Sequence, residues 1–161
     1  MGKITSAERG ELFTAIVAVN AVGQAIPLLL VFPRVFFKAE RMLIGAPPGT
    51  IGRANRSGWT ANWIFVDFLK HLVEYSNASK QNKILLVLDG HESHKTPEAI
   101  TFARENGIVL VTLPPHTSQK TQPLNVSCFG PLKLFYNTEV DTWHRNNPNQ
   151  AFSMYWYSTP E

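Results

Sequence analysis

The chain has 161 residues, 44% of them hydrophobic and 17% charged, with a formal net charge of +3. That length suits one domain with a real core, the composition is globular rather than disordered, and no apolar run approaches the ~18 residues of a membrane span. The one cysteine, Cys128, excludes an internal disulfide and fits a reducing compartment, Met1–Gly10 is too polar for a signal peptide, and the mild basicity permits a nucleic-acid partner without requiring one.

In chain order, Glu11–Ala21 reads as a strand through Leu12, Phe13, Ala15, Ile16, Val17 and Val19. Asn20–Gln24 reads as a turn in which Gly23 is free to take positive φ. Ile26–Phe32 is a second apolar strand, so the pair predicts an antiparallel hairpin. Pro27 has no N–H and belongs at a strand start or on an edge. Residues 33–58 are rich in turn signals and carry Arg34, Lys38, Arg41, Arg53 and Arg56, the most basic stretch of the chain. Such a stretch is either a solvated face or a phosphate contact. Thr60–Ser76 reads as a helix with Thr60 as its cap, an apolar stripe of Ile64, Phe65, Phe68, Leu69, Leu72 and Val73, and Trp59 and Trp63 packed at its start. His71 is expected on the surface or half buried.

The run Ile84–Leu88 then delivers Asp89 and Gly90-His91-Glu92-Ser93-His94. An apolar run that ends in a carboxylate, bounded by glycine, is how a buried parallel strand presents a charge at the sheet's carboxyl edge, where open α/β sheets keep their chemistry. Thr96-Pro97-Glu98 predicts a capped helix start, Gly107 its end, and Ile108–Leu113 the next strand. Strand, helix and strand in this span predict a right-handed crossover with parallel strands. An irregular loop, Pro114–Pro123, returns to the same edge. A helix from about Asn125 to Arg145 follows, kinked at Gly130-Pro131, and then a tail with Phe152, Tyr155, Trp156 and Tyr157.

Several of these segments, in this order, resemble the catalytic domain of DDE-type transposases of the pogo, Tigger and jerky-like group: Ser6-Ala7-Glu8-Arg9-Gly10-Glu11, Ile26-Pro27 through Val31-Phe32-Pro33-Arg34, Gly45-Ala46-Pro47-Pro48-Gly49, Ser57-Gly58-Trp59, Leu88-Asp89-Gly90-His91-Glu92-Ser93-His94, Pro114-Pro115-His116, Gln122-Pro123-Leu124 and Phe129-Gly130-Pro131-Leu132-Lys133. The resemblance covers about Gly2 to Pro148. It implies an α/β fold of the RNase H-like kind, a mixed sheet flanked by helices, as a domain over residues 1–148 with 149–161 an irregular tail. It further implies three acids holding two Mg²⁺ or Mn²⁺ ions that cleave and transfer DNA strands, with DNA as partner and the nucleus as location. Hard cations want anionic oxygens, and a metal pair clamps the attacking and leaving oxygens.

Asp89 matches the family's second acid. The position of the third, after Gln122-Pro123-Leu124, holds Asn125, which keeps a carbonyl but loses the charge. Gln119 and Thr121 stand where the family usually has His and Leu. The first acid lies, in the family, on a central strand upstream of Ser6. The sequence therefore predicts a sheet without that strand, which either pairs strand 11–21 with strand 84–89 or leaves two apolar edges open. Neither Glu8 nor Glu11 precedes the right strand to substitute. The expectation is a copy that is inactive or impaired, holds divalent metal poorly and binds DNA weakly or without sequence preference, or else a domesticated nucleic-acid-binding or protein-interaction module. Around Asp89, whose bland alternative is to cap the following turn, His91 and His94 are expected to orient the carboxylate and its loop. Glu92 either faces solvent or supplies a substitute ligand. His116 positions its loop or meets DNA phosphate, and Arg53 and Arg56 are the candidate DNA contacts.

Overall fold

A computed structural model describes residues 13–114, 117, 121–148 and 150. The motif Ser6–Glu11, His116, Gln119 and the aromatic tail lie outside the described residues.

Strand β1 (Thr14–Ile16) pairs antiparallel with β2 (Leu29–Phe32) in the register Thr14↔Val31. The expected hairpin is therefore present, but its ladder is shorter than the hydrophobic pattern. It breaks after Ile16 and resumes only as a Val19–Ala25 bridge. The turn between them is held by Asn20, whose Oδ1 accepts from the N–H groups of Val22 (3.1 Å) and Gln24 (2.9 Å).

The span 33–58 is not only loop. After the short helix α1 (Ala39–Met42), β3 (Ile51–Ala54) pairs parallel with β2 and completes a three-stranded sheet in the order β1-β2-β3. Its segment Ile51-Gly52-Arg53-Ala54 shows no alternation of apolar and polar residues. Gly52 is there because the Phe37 ring lies where a Cβ would project, and Phe37 in turn stacks on Phe32.

Helix α2 (Asn62–Ser76) starts one residue later than the sequence suggests, with Ala61 rather than Thr60 as its N-cap. Thr60 is buried instead, and Trp59 and Trp63 are exposed rather than packed at the helix start. The predicted stripe holds: Ile64, Phe65, Phe68, Leu69 and Leu72 are buried. His71 is buried with them, contrary to expectation. Its Nε2 lies 2.9 Å from the Pro27 carbonyl and its ring meets the edge of Tyr75. That contact answers the burial cost of the imidazole.

Strand β4 (Ile84–Leu88), a 3₁₀ turn (Glu92–His94), α3 (Pro97–Glu105) and β5 (Ile108–Thr112) follow in the predicted order of strand, helix and strand, with β4 and β5 parallel as expected in the register Leu86↔Leu110. Thr96 caps α3 by accepting the Ala99 N–H at 3.3 Å, and Pro97 opens it.

The two sheets do not join among the described residues, so β1 does not pair with β4 and both edges stay open. What unites them is α2. Leu29 and Val31 of β2, the α2 stripe, Leu88, Ala99, Ala103 and Ile108 form one core. Among the described residues, dispersion and water exclusion, rather than a continuous ladder, bind the halves. The β4–β5 pair is buried on the helix side alone; Leu85, Val87, Val109 and Val111 are exposed on the other. The expected buried parallel strand is thus covered on one face among the described residues, because α2 and α3 lie on the same side.

The last helix is in fact two, α4 (Pro123–Ser127) and α5 (Phe129–Asn146). The break falls at Cys128, ahead of the predicted kink. Pro131 has no N–H for the Ser127 carbonyl, so the ladder ends one turn before the proline.

Candidate active site

Leu88 is the last residue of β4 and is buried, so the chain emerges from the core at Asp89. The loop folds back on the carboxylate at once. His91 N–H donates to Asp89 Oδ1 at 3.2 Å, as in an Asx turn. His94, at the end of the 3₁₀ turn, brings Nδ1 to 3.2 Å from the same oxygen and 3.1 Å from the Asp89 backbone carbonyl. Both partners of that nitrogen are acceptors, so in the neutral ring Nδ1 carries the proton. The His94 ring is buried and lies on Phe65, 4.3 Å between centroids; α2 thus supports the Asp89 loop from below.

His91 has the opposite tautomer. Its Nδ1 accepts from the Ser93 N–H at 3.3 Å and lies 2.8 Å from Ser93 Oγ. Ser93, nearly fully buried, is the member of the cluster whose role the sequence does not announce. The only sequence signal for it is two histidines flanking a hydroxyl at i−2 and i+1. Glu92 points away, its side chain 88% exposed and paired with Lys95 at 3.0 Å.

These contacts set the protonation states. The hydrogen bond from His94 holds the Asp89 carboxyl far below the usual range; partial burial opposes it, and the His91 N–H adds to it. His91 is pushed down by burial and by the neighbouring His94, which outweigh the opposing pull of Asp89 and Glu92. Both shifts act in the same direction with pH. An imidazole held below its unfolded value near ~6.5 leaves the unfolded chain binding more protons below that pH, so stability falls on acidification. A carboxyl held below ~3.9 adds stability above that pH and loses it as acid protonates the folded state. The urea midpoint should therefore decline from pH 7 to pH 5, and more steeply below pH 4. His91→Gln, which keeps an acceptor for Ser93, should flatten the first decline and leave the second. An unchanged slope in that variant would remove His91 from this account.

The other candidate residues sit elsewhere. Asn125 lies in α4, where its Nδ2 donates to Gln122 Oε1 at 2.8 Å. Arg53, on β3, reaches across to α2: its Nε is 2.7 Å from Asp67 Oδ2, with Lys70 Nζ 3.0 Å from Oδ1. Burial raises the Asp67 carboxyl, but the hydrogen bonds from Arg53 and Lys70 outweigh it and leave it below its ordinary value. Arg56 follows β3 in a turn and makes no ion pair among the described residues.

A pair of divalent cations asks for several anionic oxygens converging on one volume. Among the described residues no three His, Cys, Asp or Glu side chains gather in this way. Asp89 Oδ1 already accepts from two donors of its own loop, and Asn125 offers a neutral carbonyl. This donor set does not fit the two-metal pair.

Comparison with known proteins bears on the origin of this arrangement. A protein named MFS-type transporter clz9, from Cochliobolus lunatus, is 34% identical over 140 residues, 86% of this chain and 15% of that protein's length. The chain thus spans about a seventh of that relative (15%). Among the described residues no helix is long and apolar enough to cross a membrane. No solved structure matches. The profile of the DDE superfamily endonucleases matches residues 10–155, and the mixed α/β architecture, with its carboxylate at the end of a parallel strand, agrees with the RNase H-like fold of that group. The chain belongs to the DDE superfamily endonucleases.

Proposed function

We propose that this chain is a transposase-derived endonuclease domain, residues 1–148, whose strand-cleaving chemistry is lost or severely impaired. The observation that carries this reading is the state of position 125: an amide in place of the third acid, with its side chain turned to Gln122. A unit charge removed ~4 Å from a divalent ion costs on the order of 4 kcal/mol per ionic charge even at an effective dielectric of ~20. A loss of that size weakens metal retention by several orders of magnitude. DNA remains the partner class that the family implies, which favours a nuclear protein. A nicking assay on supercoiled plasmid with Mg²⁺ or Mn²⁺ tests the reading. The expected result is no cleavage above the metal-only control, and Asp89→Ala no different from the parent. Cleavage that disappears in Asp89→Ala overturns it.

A second reading, a DNA-binding module without turnover, is favoured by the distribution of cations. Arg53 is neutralised by Asp67, whereas Lys38, Arg41 and Arg56 make no ion pair among the described residues. Retention on DNA should weaken with salt, log K falling with log salt by about 0.9 per phosphate contacted. Arg41→Glu with Arg56→Glu should reduce the slope by about two, and Arg53→Glu should not act through DNA alone because it also breaks the Asp67 pair. Absence of retention at low salt rejects this reading.

A further inference from the structure

The outer edge of the β4–β5 pair has a property that the endonuclease ancestry does not explain. Ile84 N–H donates to the Gly107 carbonyl (3.0 Å) and Leu113 N–H to the Leu88 carbonyl (2.9 Å). In a parallel ladder alternate residues turn both backbone groups to the same neighbour. Gly107, Val109, Val111 and Leu113 therefore face β4. Ile108, Leu110 and Thr112 turn their N–H and C=O groups to the opposite side, where no backbone partner meets them among the described residues. Nothing in Ile108–Thr112 guards that edge: there is no proline, no bulge and no charged side chain.

The open edge borders a groove of about 490 Å³ between β5 and α3, floored by Ile108, Leu110 and Ile100. Its charged walls are all cationic: Lys83, Lys95 and Arg104, with no carboxylate among the lining side chains. Lys83 and Arg104 flank the amino end of the strand pair, one just before β4 and one in the last turn of α3, and neither makes an ion pair among the described residues. Lys95 lies past the carboxyl end of β4, shared with the exposed Glu92.

We propose that this groove takes an extended acidic peptide of a partner protein, added as a further strand beside β5. Main-chain pairing to Ile108, Leu110 and Thr112 supplies register, apolar side chains at alternate central positions enter toward Ile100 and Leu110, and carboxylates at the two ends of the peptide meet Lys83 with Arg104 and, at the other end, Lys95. The backbone chemistry selects a peptide over nucleic acid. A phosphate only accepts hydrogen bonds and leaves the three outward carbonyls facing anionic oxygen, whereas a peptide strand supplies donors and acceptors in alternation. Charge selects against a second copy of this chain, since antiparallel pairing of two β5 strands brings the Lys83–Arg104 end of one copy toward the Lys95 end of the other, cation toward cation.

The test uses the full chain and a fluorescein-labelled eight-residue peptide, Glu-Glu-Val-Thr-Val-Thr-Glu-Glu, with valines at alternate central positions and glutamates at both ends, read by fluorescence anisotropy. Saturable binding is expected, weakened about tenfold by Lys83→Glu with Arg104→Glu and abolished when Lys replaces Glu in the peptide. Two further peptides, N-methylated on one edge or on the other, separate strand addition from charge attraction without altering the protein: one should bind and the other should not. Equal binding of both methylated forms, displacement of the peptide by a short DNA duplex, a chain already dimeric through β5, or no saturable binding overturns the proposal.

Discussion

Phe65→Ala is expected to destabilise the chain by about 3–5 kcal/mol, the range for emptying a buried aromatic site. The ring is fully enclosed, 6.0 Å from Phe68 between centroids and 4.3 Å from His94. It sits where both sheets share α2, so neither half of the core can collapse into the void without moving the other. Against a total stability of roughly 5–15 kcal/mol, the urea midpoint should fall by about a fifth or more. The local readout is more specific. With the ring removed, the Nδ1 proton of His94 should exchange faster and its resonance broaden, because the imidazole loses the surface that holds it against Asp89. Phe65→Leu should cost only about 1–2 kcal/mol and retain that resonance. A loss under about 1 kcal/mol in Phe65→Ala would contradict the shared core.

Gly107→Ala should be nearly as damaging, for a backbone reason. Gly107 has φ +71°, in the left-handed region that costs other residues about 1–2 kcal/mol. A Cβ there would also run into the carbonyl of Ser79 in the linker before β4. Neither side can yield cheaply, since the Gly107 carbonyl accepts the Ile84 N–H that opens the parallel ladder. Overpacking adds about 1–3 kcal/mol, for a total of about 2–5. Gly23→Ala is the matched control: its φ is +87° but nothing lies within 4 Å of the added Cβ. It should lose only the conformational share. Equal midpoints for the two variants would show that the linker is not pinned at Gly107.

How much of this was readable beforehand depends on whether a signal is local. β4, α3 and β5 were legible because an apolar run, a Thr-Pro cap and a terminal glycine all fall within neighbouring residues and agree with one another. The α2 stripe was legible by its period. β3 was not, because four residues with a glycine at the second place carry no pattern; only Phe37, far along the chain, explains that glycine. His71 could have been placed, since it falls seven residues after Ile64 on the buried stripe, but its polarity argued for the surface until the Pro27 carbonyl supplied a partner. At the site, Asp89 and its two histidines were legible from adjacency alone. The opposite tautomers of His91 and His94, the burial of Ser93 and the capture of Arg53 by Asp67 were not, because each depends on contacts that only the folded chain makes.

The carboxylate of Asp89 is tied into its own loop by a main-chain amide and an imidazole, and that has a consequence for how sequences of this kind are read. A side chain that knits a bend together is retained for the sake of the bend. Such an aspartate can persist for the bend alone, so finding it intact in another copy says that the loop closes, whereas cleavage of phosphodiesters has to be read from the other acids as well.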